Sequence, residues 1–179
     1  TSGNFDFSLI KLTNSGALDS SFGSSGKLIL PMGSETDFLS QMAIQSDGKI
    51  LLLGTIYNGL YHSVGLARVN SNGTLDQTFG SGGKVSFSFG DSPLSVSDGS
   101  SIAIQTDGKI VVLGKYQASS SSGVSGFGFA RLNQDGTFDQ NFSFDGKTII
   151  YPSSGHNYAE SLLIQPDGRL VAAGYGYNS

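Results

Sequence analysis

The chain repeats itself at a step of 60 residues. Gln45-Ser46-Asp47-Gly48-Lys49-Ile50 returns as Gln105-Thr106-Asp107-Gly108-Lys109-Ile110 and again as Gln165-Pro166-Asp167-Gly168-Arg169-Leu170. A unit copied in tandem is ordinarily one supersecondary element that buries its apolar surface against its neighbours. A residue found in every copy is therefore a candidate for folding before it is a candidate for chemistry.

A second motif marks each copy. Leu18-Asp19-Ser20-Ser21-Phe22-Gly23 precedes Gly26-Lys27, and Leu75-Asp76-Gln77-Thr78-Phe79-Gly80 precedes Gly83-Lys84. In the third copy Phe138-Asp139-Gln140-Asn141-Phe142 precedes Gly146-Lys147, with Ser143 in place of Gly. The spacing of this motif is uneven, so surface loops must absorb the difference. The segments 91–100 and 118–126 are read as those loops, because surface insertions cost little free energy.

Short apolar runs alternate with turns rich in Asn, Gly and Asp, which is the pattern of strands. In the middle of the chain the runs are 63–70, 84–89, 100–105 and 109–115. The Asp-Gly pairs at 47–48, 107–108 and 167–168 fit tight hairpins, where positive φ is required. No segment keeps a helical period with caps, so essentially no helix is expected. The runs Ile50-Leu51-Leu52-Leu53-Gly54, Ile110-Val111-Val112-Leu113-Gly114 and Leu170-Val171-Ala172-Ala173-Gly174 are apolar on both faces, as suits strands packed on both sides. Gly128 and Ala130 offer a small-residue face that lets a neighbouring sheet come close.

These features predict an all-β, β-propeller-like fold of three four-stranded antiparallel blades, each about 60 residues. The whole chain, 1–179, reads as a single repeat domain. Blade 1 spans about 5–60, blade 2 about 61–123 and blade 3 about 124–179. A solenoid or a pair of packed sheets is the alternative.

Composition narrows the function. Charged residues make up 13% of the chain and the net charge is −4, with no basic cluster. Nucleic-acid binding and attachment to anionic membranes, which need clustered Lys and Arg, are not expected. There is no cysteine, so thiol chemistry and Cys-based metal sites are excluded. No apolar run approaches the roughly 20 residues needed to span a bilayer. The first residues carry no signal-peptide pattern, which fits a mature chain, an excerpt of a longer protein or a cytosolic one.

The Gln-x-Asp-Gly-Lys-Ile run, the apolar strand ending in Gly, and the Asp-x-x-Phe-Gly segment before Gly-Lys resemble the delta-60 repeat family. Two departures stand in the third copy, Phe142-Ser143 and Arg169-Leu170. The resemblance covers nearly the whole chain. It implies a propeller and a secreted or surface setting in Gram-negative bacteria, associated with the outer membrane. It carries over no catalytic residues.

Candidate residues divide into recurring and non-recurring sets. Lys11, Arg68 and Arg131 each lie eight residues before Asp19, Asp76 and Asp139. This spacing predicts three structural ion pairs. Asn70-Ser71-Asn72-Gly73 and Asn133-Gln134-Asp135-Gly136 have the oxygen-rich look of calcium loops, but the terminal bidentate Glu is missing and an Asx turn explains the same residues. The expectation is no metal and no cofactor. His62 and His156 are the only histidines and Glu35 and Glu160 the only glutamates, and no catalytic spacing joins them. No catalytic residue is assigned and the chain is read as a non-enzyme. The non-recurring set is Tyr57, Tyr61, His62, Tyr116, Tyr151, His156, Asn157, Tyr158, Tyr175 and Tyr177. Rings with polar tips suit recognition of sugar or protein, so these are the expected ligand-binding residues.

Propellers close with typically 4–8 blades. Three blades therefore call for one of three resolutions: further repeats of a longer chain, completion by a second or third copy, or an unusual compact packing of the three, and symmetric self-association is the expectation. The function expected is an extracellular recognition or adhesion module that binds a surface glycan or protein through loops differing between blades, at the end of an oligomeric fibre. A purely structural propeller segment and a polysaccharide hydrolase are the alternatives.

Overall fold

A computed structural model describes residues 3–57, 59, 61–92, 95–118 and 124–177. Parts of the two predicted insertion loops, 93–94 and 119–123, lie outside the described residues. Among the described residues there are twelve strands and no helix. They are β1 (Phe7–Ile10), β2 (Lys27–Leu30), β3 (Asp37–Ile44), β4 (Ile50–Tyr57), β5 (His62–Val69) and β6 (Lys84–Phe87), followed by β7 (Val96–Ile104), β8 (Ile110–Gln117), β9 (Ser125–Leu132), β10 (Lys147–Ile150), β11 (Asn157–Ile164) and β12 (Leu170–Gly176).

The strands form four antiparallel sheets: β1-β2, β3-β4-β5-β6, β7-β8-β9-β10 and β11-β12. The sequence reading grouped β5 to β8 as one blade. The structure instead divides them between two sheets, so the expected three four-stranded blades become two complete sheets flanked by two half-sheets. A period specifies the step between copies but not where along the step a sheet begins. The β6–β7 and β4–β5 connections, 88–95 and 58–61, are both short, and only pairing distinguishes them. The segment 91–100 is also not wholly loop, because β7 starts at Val96 and pairs with Gln117 at the end of β8.

Each Asp-Gly hairpin has the same build. Gly48 N–H donates to the Gln45 carbonyl at 2.9 Å, and Gln45 N–H donates to the Lys49 carbonyl at 2.8 Å. Only the glycine takes positive φ, 82° at Gly48. Asp47 serves differently, its Oδ1 accepting the Lys49 N–H at 3.1 Å. Each first strand carries a bulge, between Leu39 and Gln41, Gly99 and Ser101, and Ala159 and Ser161. The bulge turns a carbonyl toward the partner strand. A Cβ at Gly54, Gly114 or Gly174 would run into the carbonyl oxygen of Phe38, Asp98 or Tyr158 and into a phenylalanine ring of the adjoining sheet. This accounts for the glycine that closes each apolar strand.

Three apolar clusters lie between successive sheets. Phe7, Phe22 and Leu52 join the first half-sheet to β3–β6. Leu51, Leu53, Phe87, Phe89 and Val112 join the two complete sheets. Val111, Leu113, Phe127 and Leu162 join β7–β10 to the last half-sheet. Thus β4 and β8 present alternate residues to neighbours on both sides, as their sequences predict, and Leu51, Leu52, Leu53, Val111, Val112 and Leu113 are fully buried. Each such side chain contributes on the order of 1.5–3 kcal/mol. The small-residue face of β9 also acts as expected, with Gly128 receiving the Phe89 ring of the preceding sheet.

Polar bonds between sheets recur as well. Gly23 N–H donates to the Asn72 carbonyl and Gly80 N–H to the Asp135 carbonyl, both at 2.8 Å. At the bulges, Ile102 N–H donates to Gln41 Oε1 at 2.6 Å and Leu162 N–H to Ser101 Oγ at 3.1 Å. Every sheet therefore meets the next in the same register.

Candidate functional site

The two ends of the strands differ in chemistry. At the hairpin end the recurring motifs meet. Arg68 Nε donates to Asp76 Oδ2 at 2.7 Å, Arg131 Nε to Asp139 Oδ2 at 2.8 Å, and Lys11 Nζ lies 3.2 Å from Asp19 Oδ2. The lysine of the Asp-Gly-Lys turn joins each complete sheet's pair: Lys49 Nζ lies 2.9 Å from Asp76 and Lys109 Nζ 3.5 Å from Asp139. Sequence reasoning missed this third member, because it assigned Lys49 and Asp76 to different units. The Arg68 and Arg131 guanidinium groups also stack on Phe79 and Phe142, at 4.6 and 4.8 Å. Burial alone would raise the Asp76 carboxyl. Hydrogen bonds from Thr78, Lys49 and Arg68 outweigh it and hold that carboxyl well below the usual range.

The Asn-rich turns use their oxygens internally. Asn72 Oδ1 accepts from the Thr74 N–H and hydroxyl at 3.0 and 2.8 Å, and Asp135 serves Thr137 in the same way. These are Asx turns. Among the described residues no group of three or more His, Cys, Asp or Glu is placed to hold a metal ion.

At the opposite end of the strands, unlike residues occupy equivalent positions and touch in sequence across the sheets. Phe5 stacks on Phe38 at 5.9 Å, Phe38 meets Tyr57 edge-on at 5.6 Å, and Tyr57 lies over His62 at 3.9 Å. His62 Nδ1 is 2.9 Å from Asp98 Oδ1, and Asp98 pairs across the ladder with Lys115. Lys115 Nζ sits 5.0 Å above Tyr158, which stacks on Tyr175 at 4.8 Å and 17°. The result is a continuous strip from Phe5 to Tyr175. Burial, with the Asp98 carboxylate beside it, pushes the Tyr57 hydroxyl above its ordinary value.

Of the ten expected binding residues, Tyr57, His62, Tyr158 and Tyr175 belong to this strip. Tyr61 lies beside it, in the β4–β5 connection. Tyr116 and Asn157 are buried. The Tyr116 ring packs against Gly90 in the main core. Asn157 is committed to the 153–157 turn and to Ser125, whose carbonyl accepts from its amide at 2.7 Å. Their positions place these two side chains in the scaffold. Tyr151 is exposed beside Gly126. Tyr177 is exposed too, just after β12, and its N–H donates at 2.8 Å to the carbonyl of His156, just before β11. Phe38, Asp98 and Lys115 escaped sequence reasoning. The available signal was positional: 38, 98 and 158 are one position of the repeat, and 115 and 175 are another.

Beside the strip an open cleft of about 570 Å³ crosses the bulges of β3, β7 and β11. Its lining is polar and includes Gln41, Ser100, Ser101, Asp98 and Glu160. Sugar-like ligands need this pairing of ring faces with hydroxyl- and amide-rich walls.

Among the described residues no helix is long and apolar enough to cross a membrane. No curated protein matches the sequence. A family model described as a domain of unknown function (DUF5122), beta-propeller, matches residues 45–79 and 105–142. Each matched segment runs from the glutamine of a hairpin turn to the phenylalanine of the Asp-x-x-Phe motif, so each contains a whole Lys–Arg–Asp cluster. The two segments support assignment of the repeats to a β-propeller repeat family.

Proposed function

We propose that the chain is a non-enzymatic recognition module of a secreted or surface-attached bacterial protein of the delta-60 type, and that it holds a cell-surface glycan along the Phe5–Tyr175 strip. The observation that carries this reading is the strip itself. The hairpin end repeats the same residue types from copy to copy, a basic residue at 11, 68 and 131 and an aspartate at 19, 76 and 139, whereas here equivalent positions hold Phe38, Asp98 and Tyr158. Scaffold duties alone favour one residue at one repeated position. Rings at Phe38 and Tyr175 are exposed for stacking, and Asp98 and Lys115 supply polar contacts between them. A glycan array probed with the chain and with Tyr175→Ala tests the reading. Retention of defined glycans that is lost in the variant is expected. No retained glycan, or equal retention by both, overturns it, and capture of a protein ligand instead would move the site to protein recognition.

One observation favours a second reading, hydrolysis of polysaccharide: Asp98 and Glu160 line the same cleft. Paired carboxylates flanking a sugar are the machinery of glycoside hydrolysis. Asp98 is already engaged by His62 at 2.9 Å, which weighs toward binding. Release of reducing ends from a bound polysaccharide, abolished by Glu160→Gln, would establish the hydrolase.

A further inference from the structure

Three aspartates are buried among the described residues. Asp76 and Asp139 each meet an arginine and a lysine. Asp37, 2% exposed at the start of β3, is bonded to main chain alone. Its Oδ2 accepts the N–H groups of Met32 and Gly33 at 2.8 and 3.0 Å. Its Oδ1 is buried and has no hydrogen-bond partner. A buried charge is ordinarily paired or bound to a metal ion. We propose that Asp37 Oδ1 is a ligand to a calcium ion, held together with main-chain carbonyls around the 32–37 loop.

The third copy of the loop shows what surrounds that oxygen. Asn157 is the counterpart of Asp37. Its Oδ1 accepts the N–H of Ser153, four residues back, just as Asp37 Oδ2 accepts that of Gly33. The amide nitrogen of Asn157 therefore corresponds to Oδ1 of Asp37. That nitrogen donates to the carbonyls of Ser125, Ser153 and Gly155 at 2.7, 3.2 and 3.0 Å. Their counterparts in the first copy are Phe5, Gly33 and Glu35. With aspartate in place of asparagine, an acceptor is directed at acceptors. A proton on Oδ1 would serve one carbonyl. A cation serves all of them at once.

The rest of the loop agrees. The first copy reads Gly33-Ser34-Glu35-Thr36-Asp37 and the third Ser153-Ser154-Gly155-His156-Asn157, so two acids stand where the third copy has glycine and asparagine. Gly33, Ser34 and Glu35 are exposed, which gives an ion entry to the enclosed carboxylate. The Phe5 carbonyl is fixed beside it by the Asp37 N–H. Every candidate ligand is an oxygen, as calcium prefers, and water completes its shell of 6–8. Carbonyls, rather than a cluster of acids, supply most of the protein's share. So few carboxylates place the site among weak calcium sites, with Kd about 10⁻⁴–10⁻³ M. The loop leads directly into Phe38, and its Thr36 carbonyl accepts the Tyr57 N–H at 3.2 Å. The ion would thus fix the loop that carries one end of the aromatic strip.

Calcium titration of the purified chain, first stripped with a chelator, tests the site. Calorimetry should show one binding event in the range about 10⁻⁴–10⁻³ M. Calcium chloride at about 10 mM should raise the melting temperature by several degrees over magnesium chloride at the same concentration. Asp37→Asn copies the third loop, so it should fold, lose the calcium response and melt no lower than the calcium-free parent. No calcium response in the parent, an equal response to magnesium, or an undiminished response in Asp37→Asn overturns the proposal. Should Asp37→Asn fail to fold, terbium in place of calcium decides the matter in the parent. Tyrosine-sensitised emission that calcium displaces is expected, and its absence overturns the site.

Discussion

The hairpin end and the strip end of each sheet are built on the same strands yet carry different constraints. At the hairpin end a lysine, an arginine and a carboxylate converge in every complete sheet, with a phenylalanine under the guanidinium. At the strip end the same ladder positions carry Phe, Asp, Lys or Tyr. The backbone geometry is shared, so geometry does not explain the contrast. What differs is the cost of change. A buried carboxylate that loses its partner leaves a charge without solvent, whereas an exposed ring can be exchanged with little effect on folding. Residues that repeat for the fold and residues free to vary are therefore separated along the strand axis.

The largest effect should come from the bulge glycines, which lie between the two ends. Gly114→Ala would drive a Cβ into the Asp98 carbonyl and the Phe89 ring, and we expect a loss of about 3 kcal/mol in urea denaturation. An unchanged midpoint would show that the bulge can relax. Next is the buried cluster. Asp76→Ala strands Arg68, whose side chain is 7% exposed, and should cost about 3 kcal/mol. Asp19→Ala, facing a lysine that is 42% exposed, should cost much less. Equal losses would erase the distinction between complete and half-sheets.

Acid should expose the same asymmetry. The Asp76 carboxyl is depressed in the folded state below its ordinary 3.8. Its contribution is therefore present above that value and is lost as pH falls through the lower folded value. Melting curves taken from pH 5 downward should fall more steeply for the parent than for Asp76→Asn. Parallel curves would remove Asp76 as the acid-sensitive group. The smallest stability effect should be at the strip. Tyr175→Ala, at an exposed ring, should shift stability by less than about 0.5 kcal/mol while removing ligand retention. A large loss of stability would return Tyr175 to the scaffold.

Much of the scaffold was legible before any coordinates. The strands, the Asp-Gly hairpins, the two-sided burial of Leu51–Leu53 and the Lys/Arg–Asp spacing all follow from local pattern, because each depends on residues near in sequence or on a repeated type. The site was only partly legible. The non-recurring aromatic and polar residues singled out include Tyr57, His62, Tyr158 and Tyr175, which lie on the strip, but also Tyr116 and Asn157, which are buried. Exposure is decided by what packs opposite, and Gly90 and Ser125 come from other sheets or strands. Phe38, Asp98 and Lys115 were missed because none is unusual alone. They matter only as members of a file that crosses three sheets.

The 60-residue step by itself determined that the chain would stack β-units in one register, since identical motifs at a fixed interval can satisfy one another only by repeating the same contact. Tertiary structure decided the phase of that stacking. The Lys49–Asp76 and Lys109–Asp139 contacts bind motifs that a linear reading assigns to different units, and they draw β3–β4 together with β5–β6. Phase is a property of which edges pair, and pairing across a loop is a choice among surfaces that a periodic sequence leaves equivalent.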